Sequence, residues 1–500
     1  MDPLMAPPMR NASNELAERI AAVLAIDPAV PAIEFAGRWR TWGELAATVE
    51  SVAAHLPVAG TRIGVLLRNR PAPVAFLLGA LRAGACVVAI DPQRGAERIA
   101  HEVTALDLAC VAGEPDDLAR LVGTESTATT LCARDVGSAV EVRNKGAAED
   151  RPTRPGVAVQ MLTSGTTGPP KRIDLSYETL RRVLVGAKHY ESNRDAGLRL
   201  RAGVAVVNSP LVHLGGLFRV LQCVTDGRSF ALLERFTVGT WVDAVRRHRP
   251  ATASLVPAAL RMVLEADVDP ADLSSVRSVI SGTAPLSPDD AEAFLDKYRI
   301  PVLGSYAATE FGGGVAGWNL ADHRAFWAAK RGSVGRAHEG CALRVVDPGD
   351  GHVLGVDTEG LLEVKAAQLG AGSAWIRTTD LARIDADGFL WILGRADRVI
   401  IRGGFKVRPD DVRAALERHP GVRGAAVVSR PDPRLGAVPV AAVELRDGQE
   451  PCTAQDLLAH AAATLARYEL PAEIRIVDAL PRTASAKVDL AAVAEMFAEA

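Results

Sequence analysis

The sequence predicts an α/β protein: a large N-terminal region of α/β subdomains with a β-rich module, followed by a small α+β C-terminal domain. Two patterns carry that prediction. Short apolar runs alternate with helical periodicity over most of the chain, as in mostly parallel sheets with helices between their strands. After about Gly335 the strands crowd together, separated by Asp-Gly and Pro-Gly turns, which is a module built of hairpins. At 500 residues the chain is long enough for about three domains or subdomains, each with its own core, and needs no disulfide or metal staple.

Taken in order, the first 12 or so residues, rich in Met and Pro, read as a loose tail. Thr41 and Glu44 have capping-box spacing and open a helix to about His55, with Leu45, Val49, Val52 and Leu56 on one face. A strand over 62–67, a helix over 74–82 and a strand over 86–90, closed by Asp91-Pro92, follow. Further strands are expected over 202–207, 230–233, 253–256, 276–280 and 301–303, with helices between them. The β-rich module is expected to hold strands over 342–346, 361–364, 381–384, 389–393 and 399–401. From Pro409 the last 90 or so residues alternate helix and strand. The boundary is placed near Asp397, dividing the chain into 1–396 and 397–500.

Composition removes several functions. A net charge of −3 provides no basic face for nucleic acid and no polybasic membrane anchor. The six cysteines are far apart with no CxxC, so neither a zinc site nor a disulfide framework is expected, and the compartment is the reducing cytoplasm. The N-terminus lacks the continuous apolar core of a secretory signal. The most apolar stretch, 74–90, is interrupted by Arg82 and too short to span a membrane, so no integral membrane segment is expected. Only eight of the 57 basic residues are lysines, so a lysine kept inside a turn-rich segment hints at chemistry that needs a compact ammonium.

The strongest local signal is the run Met161-Leu-Thr-Ser-Gly-Thr-Thr-Gly-Pro-Pro-Lys171. Gly165 and Gly168 permit backbone N–H groups to converge as an anion nest, Thr163, Ser164, Thr166 and Thr167 add hydroxyl donors, and Lys171 adds charge. The loop suits a polyphosphate but is not a Walker loop, because Pro170 stands where the second glycine belongs. The bland alternative is a flexible Gly/Thr turn. Gly312 to Gly317 formally match GxGxxG, yet no clear strand precedes them and no helix opens after them, which argues against a dinucleotide site.

Ser305-Tyr-Ala-Ala-Thr-Glu310 follows the 301–303 run, at a strand's C-terminal end where open α/β sheets bind ligands. Tyr306 has the ring to stack on a base, Thr309 the hydroxyl for a phosphate, and Glu310 the carboxylate for Mg2+; read blandly, all three are loop residues. Thr378-Thr-Asp380 and Gly394-Arg-Ala-Asp397 repeat the theme more weakly, and the Pro481 to Lys487 segment alone reads as an exposed loop.

Together and in this order, these segments resemble the adenylate-forming superfamily of acyl-CoA synthetases, adenylation domains and luciferases, from about residue 30 to 495. Thr41-Trp-Gly-Glu-Leu45, Leu81-Arg-Ala-Gly-Ala85, Ser281-Gly-Thr-Ala-Pro-Leu286 and Gly332-Ser-Val-Gly335 are similar to further family motifs. The resemblance implies a large N-terminal region and a small C-terminal lid, with ATP, Mg2+ and coenzyme A as cofactors. Thr163, Ser164, Gly165, Thr166, Thr167, Gly168 and Lys171 would then wrap the phosphates, and Gly282, Thr283, Ala284 and Tyr306 would flank adenine. Thr309 and Glu310 would serve phosphate and Mg2+, Asp380 the ribose, and Arg395 the nucleotide. Asp397 would be the hinge, Lys487 the lid lysine that reaches the carboxylate and α-phosphate, and Gly403, Gly404 and Lys406 would lie beside a thiol tunnel.

Three positions depart from the family pattern by replacing glycine: Ala307, Thr379 and Ala486. The implied reaction is activation of a carboxylic acid to an acyl-adenylate, then transfer to the thiol of coenzyme A. Amino-acid-activating relatives place an Asp early in the segment matching Pro210 to Gly216, and none stands here, so a buried ammonium would lack a partner. His213, Gly216, Gly304, Ala307 and Gly312 are assigned to the acyl pocket, which points to an aromatic, alicyclic or medium-chain acid. The alternatives are loading of a carrier-protein pantetheine and a degenerate nucleotide-binding homologue.

Overall fold

The computed structural model describes residues 12–56, 59–122, 126–143, 153–163, 171–186, 197–370, 372–446, 452–483 and 487–498. Most of the expected N-terminal tail, the loop residues Ser164, Gly165, Thr166, Thr167 and Gly168, and Ala486 lie outside the described residues. The architecture is α/β, with five sheets among the described residues. No helix among them is long and apolar enough to cross a membrane.

The local signals act as their chemistry requires. Helix Trp42–Ala54 starts on a complete capping box: the Thr41 hydroxyl accepts from the Glu44 N–H at 3.1 Å, and the Glu44 carboxylate accepts from the Thr41 N–H at 2.7 Å. Its Leu45, Val49 and Val52 are fully buried. The next helix, Pro71–Arg82, begins three residues before the apolar run, because Pro71 supplies a preset φ at the first helical position. Every residue from Pro71 to Leu81 is buried, so this helix lies inside the core rather than on its surface.

The largest sheet runs in the spatial order Glu141–Arg143, Thr129–Cys132, Cys110–Gly113, Arg62–Leu66, Cys86–Ile90, Val157–Thr163, Lys171–Ser176. Its interior pairs are parallel and both edge pairs antiparallel. Thr163 pairs with Lys171, so the two ends of the phosphate-loop segment are hydrogen-bonded neighbours at one end of this sheet. A second sheet joins Arg201–Val207, Arg228–Leu232, Pro31–Phe35 and Arg38–Thr41. A third sheet, Thr252–Ser254, Ser278–Ser281, Val302–Ala308, Gly313–Gly317 and Arg336–Ala337, starts parallel and turns antiparallel.

That third sheet corrects one expectation. The strand expected over 301–303 continues to Ala308, so Ser305, Tyr306 and Ala307 are strand residues rather than a loop beyond it. The chain reverses through the short turn Thr309–Phe311 and Gly312, whose φ of +69° suits a residue without a side chain, and returns as Gly313–Gly317. The glycine run is therefore an antiparallel strand, a hairpin partner that sequence periodicity cannot register because it has almost no side chains.

The β-rich module is an antiparallel meander of Ala342–Val346, Gly360–Lys365, Ile376–Ile384 and Leu390–Arg395. The strand expected over 399–401 does not belong to it. Ile400–Arg402 pairs with Phe405–Val407 and with Gly436 in the last sheet, alongside Val422–Asp432, Gly436–Leu445 and Glu473–Val477. The short turn Ala396–Arg398 redirects the chain, and Gly403 and Gly404, both at positive φ, close the two-residue hairpin that commits it to the new sheet.

Gly335 joins the third sheet to the meander at a φ of +100°, and a Cβ there would stand 2.1 Å from the Gly317 carbonyl carbon. Gly335→Ala is expected to cost about 2–4 kcal/mol, from left-handed backbone strain plus a clash with main chain that cannot move aside. A thermal-unfolding midpoint clearly below that of the wild type is the expected readout.

Candidate active site

A cleft of about 3570 Å3 opens between the end of the third sheet, the meander and the C-terminal segment. His213, Gly216, Gly282, Thr283, Ala284, Gly304, Tyr306, Ala307, Thr309, Glu310, Asp380, Arg395 and Lys487 all line it. Residues assigned from separate segments, spread over nearly 300 positions of sequence, thus face one space.

The best-defined group is a half-buried carboxylate with a hydroxyl. Asp380 lies directly opposite Arg395 across the meander's last strand pair. Its N–H donates to the Thr378 hydroxyl at 3.0 Å, which itself donates to the Leu362 carbonyl at 2.9 Å. The Tyr306 hydroxyl donates to the Asp380 carboxylate, tying the third sheet to the meander. Burial pushes the Asp380 carboxyl up, against the opposing pull of the Tyr306 hydrogen bond and the Arg395 charge. Burial also raises the Tyr306 phenol, with the Asp380 charge adding to it. Ala307 and Thr379, two of the positions where glycine was the family pattern, lie in ordinary strands and neither has a positive φ.

Arg395 is clamped by Asp397 at 2.6 and 2.9 Å. That hydrogen bond holds the Asp397 carboxyl below its usual range. Arg398, which no motif had singled out, also lines the cleft, and burial followed by repulsion from Arg395 lowers its guanidinium. Lys487 faces the same space. Its ammonium is pushed below the ordinary lysine value by burial first and by Arg398 second. His213 stands at the N-cap position of helix Leu214–Thr225 without a side-chain capping bond, and burial lowers its imidazole, with Lys487 lowering it further.

Among the described residues, His213 Nε2 and Ser281 Oγ are buried side-chain atoms of the cleft lining without a hydrogen-bond partner. Beside Ser281, Thr283 holds a φ of +71°, a costly conformation for a β-branched residue and typical of sites where backbone is held for a purpose. Glu310 is exposed on the cleft floor, in the turn that ends the Tyr306 strand. Its carboxylate, with the neighbouring Thr309 hydroxyl, is an oxygen donor set that fits Mg2+.

Other assignments fall elsewhere. Gly312 is not part of the cleft lining; its missing side chain leaves room for the Thr179 methyl, 2.5 Å from where a Cβ would be. Gly216 does line the cleft, but it is glycine because a Cβ would sit 2.1 Å from the Pro210 carbonyl oxygen. Gly403, Gly404 and Lys406 form an exposed hairpin tip outside the cleft, and Asp397 lies in the turn that enters the last sheet. Lys171 is exposed at the start of its strand.

The chain was compared with known proteins. The family model described as AMP-binding enzyme matches residues 20–373, and that described as AMP-binding enzyme C-terminal domain matches 411–487. The 4-coumarate–CoA ligase-like 9 of Oryza sativa subsp. japonica is 30% identical over 90% of this chain and 86% of its own length. The indoleacetate–CoA ligase of Aromatoleum aromaticum is 29% identical over 95% of this chain and 96% of its own. Among solved structures, o-succinylbenzoate CoA synthetase from Bacillus subtilis, in complex with its acyl-adenylate intermediate, superposes with a TM-score of 0.73 at 25% identity, covering 95% of this chain and 96% of that one. The chain belongs to the AMP-binding enzyme family, within the adenylate-forming superfamily. Its class is that of the AMP-forming acid–CoA ligases, which use ATP and coenzyme A.

Tyr306→Phe removes the hydroxyl that the Asp380 carboxylate accepts. Leaving that half-buried group short of a donor should cost about 1–2 kcal/mol. The hydrogen bond favours the ionised carboxyl, so the deficit against wild type should be smallest in acid, where Asp380 is protonated, and grow as pH rises through its elevated pKa. Chemical denaturation of both proteins across that range is the check.

Proposed function

We propose that this protein activates an aromatic carboxylic acid with ATP, forming an acyl-adenylate and pyrophosphate, and then transfers the acyl group to the thiol of coenzyme A. The observation that carries the reading is the position of Lys487, a cation from the C-terminal segment, in the cleft that also holds the Tyr306–Asp380 pair, Glu310 and His213. The names of the relatives support the substrate class, since they act on coumarate, indoleacetate and o-succinylbenzoate. The absence of an acid between Pro210 and Gly216 supports an acid that carries no ammonium. ATP and coenzyme A are cytoplasmic solutes, in keeping with a cytoplasmic enzyme.

The chemistry assigns each group a task. A carboxylate is a poor acylating agent until its oxygen becomes part of a phosphate leaving group, and two anions must meet for that to happen. Lys487 lowers their repulsion where carboxylate and α-phosphate approach, and Arg398 and Arg395 extend the positive region. Asp380 holds the ribose hydroxyls, the ring of Tyr306 and the backbone of Gly282, Thr283 and Ala284 flank adenine, and Thr163 to Gly168 with Lys171 wrap the phosphates. Glu310 would hold Mg2+, which, when bound, screens the charge of the phosphates. His213, Gly216, Gly304 and Ala307 border the acyl group.

For the second half-reaction, residues 397–500 act as a lid that turns at Asp397, withdraws Lys487 and brings Gly403, Gly404 and Lys406 to the thiol path. Their exposed hairpin tip, outside the cleft while Lys487 is inside it, supports an alternation of this kind. Carrier-protein pantetheine as the acceptor is the second reading, and the exposed tip serves it equally well.

A panel of aromatic, alicyclic and medium-chain acids should give ATP–pyrophosphate exchange strongest for an aromatic member, and CoA should convert that acid to its thioester. Lack of exchange with every acid of the panel, alongside intact ATP binding, would leave the degenerate nucleotide binder as the correct reading. Lys487→Ala should slow adenylation about 10²–10³-fold, the scale for losing one charge-stabilising donor, while thiolation of supplied acyl-adenylate stays nearly intact. Because only the ammonium form serves, wild-type adenylation should decline as pH rises through a value below the ordinary 10.5 of lysine; equal loss in both half-reactions on mutation would remove the moving lid.

A further inference from the structure

Delivery of Lys487 into the cleft depends on how the C-terminal sheet seats against the rest of the chain, and that seating has a defined polar path. Helix Pro257–Glu265 presents Arg261 and Glu265 one turn apart on one face. Arg261 is anchored on its own side by Asp290, at 2.7 and 3.0 Å, and reaches across to donate to the Arg423 carbonyl at 2.7 Å. Glu265 pairs with Arg446 at 3.1 Å and with the Arg423 guanidinium at 3.5 Å.

The path continues on the far side. Arg423 lies 3.5 Å from Glu444, a carboxylate that is only 6% exposed. Glu444 accepts from the Leu480 N–H at 3.0 Å and lies 3.8 Å from Arg482. Leu480 and Arg482 stand just ahead of the lysine in the chain: Arg482 bridges to Val488, and the Thr483 N–H donates to the Lys487 carbonyl at 2.8 Å. From Arg261 to Lys487 the contacts run through directed hydrogen bonds and close ion pairs. Isolated surface ion pairs contribute little, but Arg261 bonds a main-chain carbonyl and Glu444 is buried, so this set encodes position rather than general adhesion.

We propose that Arg261 and Glu265, acting through Arg423 and Glu444, are positioning residues for Lys487, a latch that holds the acid-activating arrangement and sets what fraction of the enzyme has the lysine in place. The latch touches no reacting atom. It rests on the functional reading above for its consequence in catalysis, though not for its effect on where residues 480–483 and 487–489 sit.

The test separates those two. Arg261→Ala and Glu265→Ala should each lower acid-dependent ATP–pyrophosphate exchange about 10- to 100-fold, the scale of a slightly misplaced catalytic group. Thiolation of supplied acyl-adenylate should hold or rise, and Arg261→Lys should recover part of the lost exchange. Hydrogen–deuterium exchange, which needs no substrate, should show faster labelling of 480–489 in both alanine variants, while the 62–90 core stays protected as in wild type. Parallel loss of both half-reactions, or unchanged labelling of 480–489, overturns the latch. If wild-type protein activates no acid and thiolates no adenylate, the functional reading fails, and labelling of 480–489 alone then decides whether the latch exists.

Discussion

A lysine in a cleft ordinarily acquires a counter-charge, but Lys487 keeps part of its surface in solvent and the charged group that perturbs it is another cation, Arg398. Repulsion between two neighbouring cations is destabilising by itself and is relieved by a polyanion between them. Arg395 adds to the same region, although Asp397 partly satisfies it. The unfavourable electrostatics are offset elsewhere, by the ion pairs and buried sheet that hold the C-terminal segment against the larger body. Glu265 and Glu444 pair with Arg423, Arg446 and Arg482 of the C-terminal segment, while Asp290 pairs with Arg261 of the larger body.

The opposite sign is handled differently. Asp380 is half-buried, and it has a hydroxyl donor in Tyr306, a nearby guanidinium, and a main-chain N–H fixed by Thr378. This carboxylate is held rigidly by strands from two sheets, whereas the lysine comes from a segment whose place depends on a docking interface.

Much of the site was legible in sequence because it depends on residue types with few substitutes. An ammonium in a lysine-poor chain, a carboxylate after paired threonines, and a tyrosine ahead of Thr309 and Glu310 each stand out without coordinates. Arg398 did not, since one arginine among many carries no signal until burial distinguishes it. Arg261, Glu265 and Glu444 were illegible for the same reason: their meaning lies in partners that are distant in sequence. Gly312 was misread as a pocket residue because a glycine states only that a side chain is absent, not which neighbour needed the space.

The amino-acid sequence by itself determined the α/β class, the capping box of the helix Trp42–Ala54 and the family, because these follow from periodicity, local hydrogen bonding and side-chain chemistry acting over short spans of chain. Tertiary structure alone decided that the 305–308 segment is a strand paired with a glycine-rich partner, that 400–402 joins the last sheet, and that Lys487 shares a cleft with Asp380. Strand pairing and domain docking are set by contacts between segments far apart in the chain, and their free energy depends on which surfaces meet rather than on the order of residues within either one.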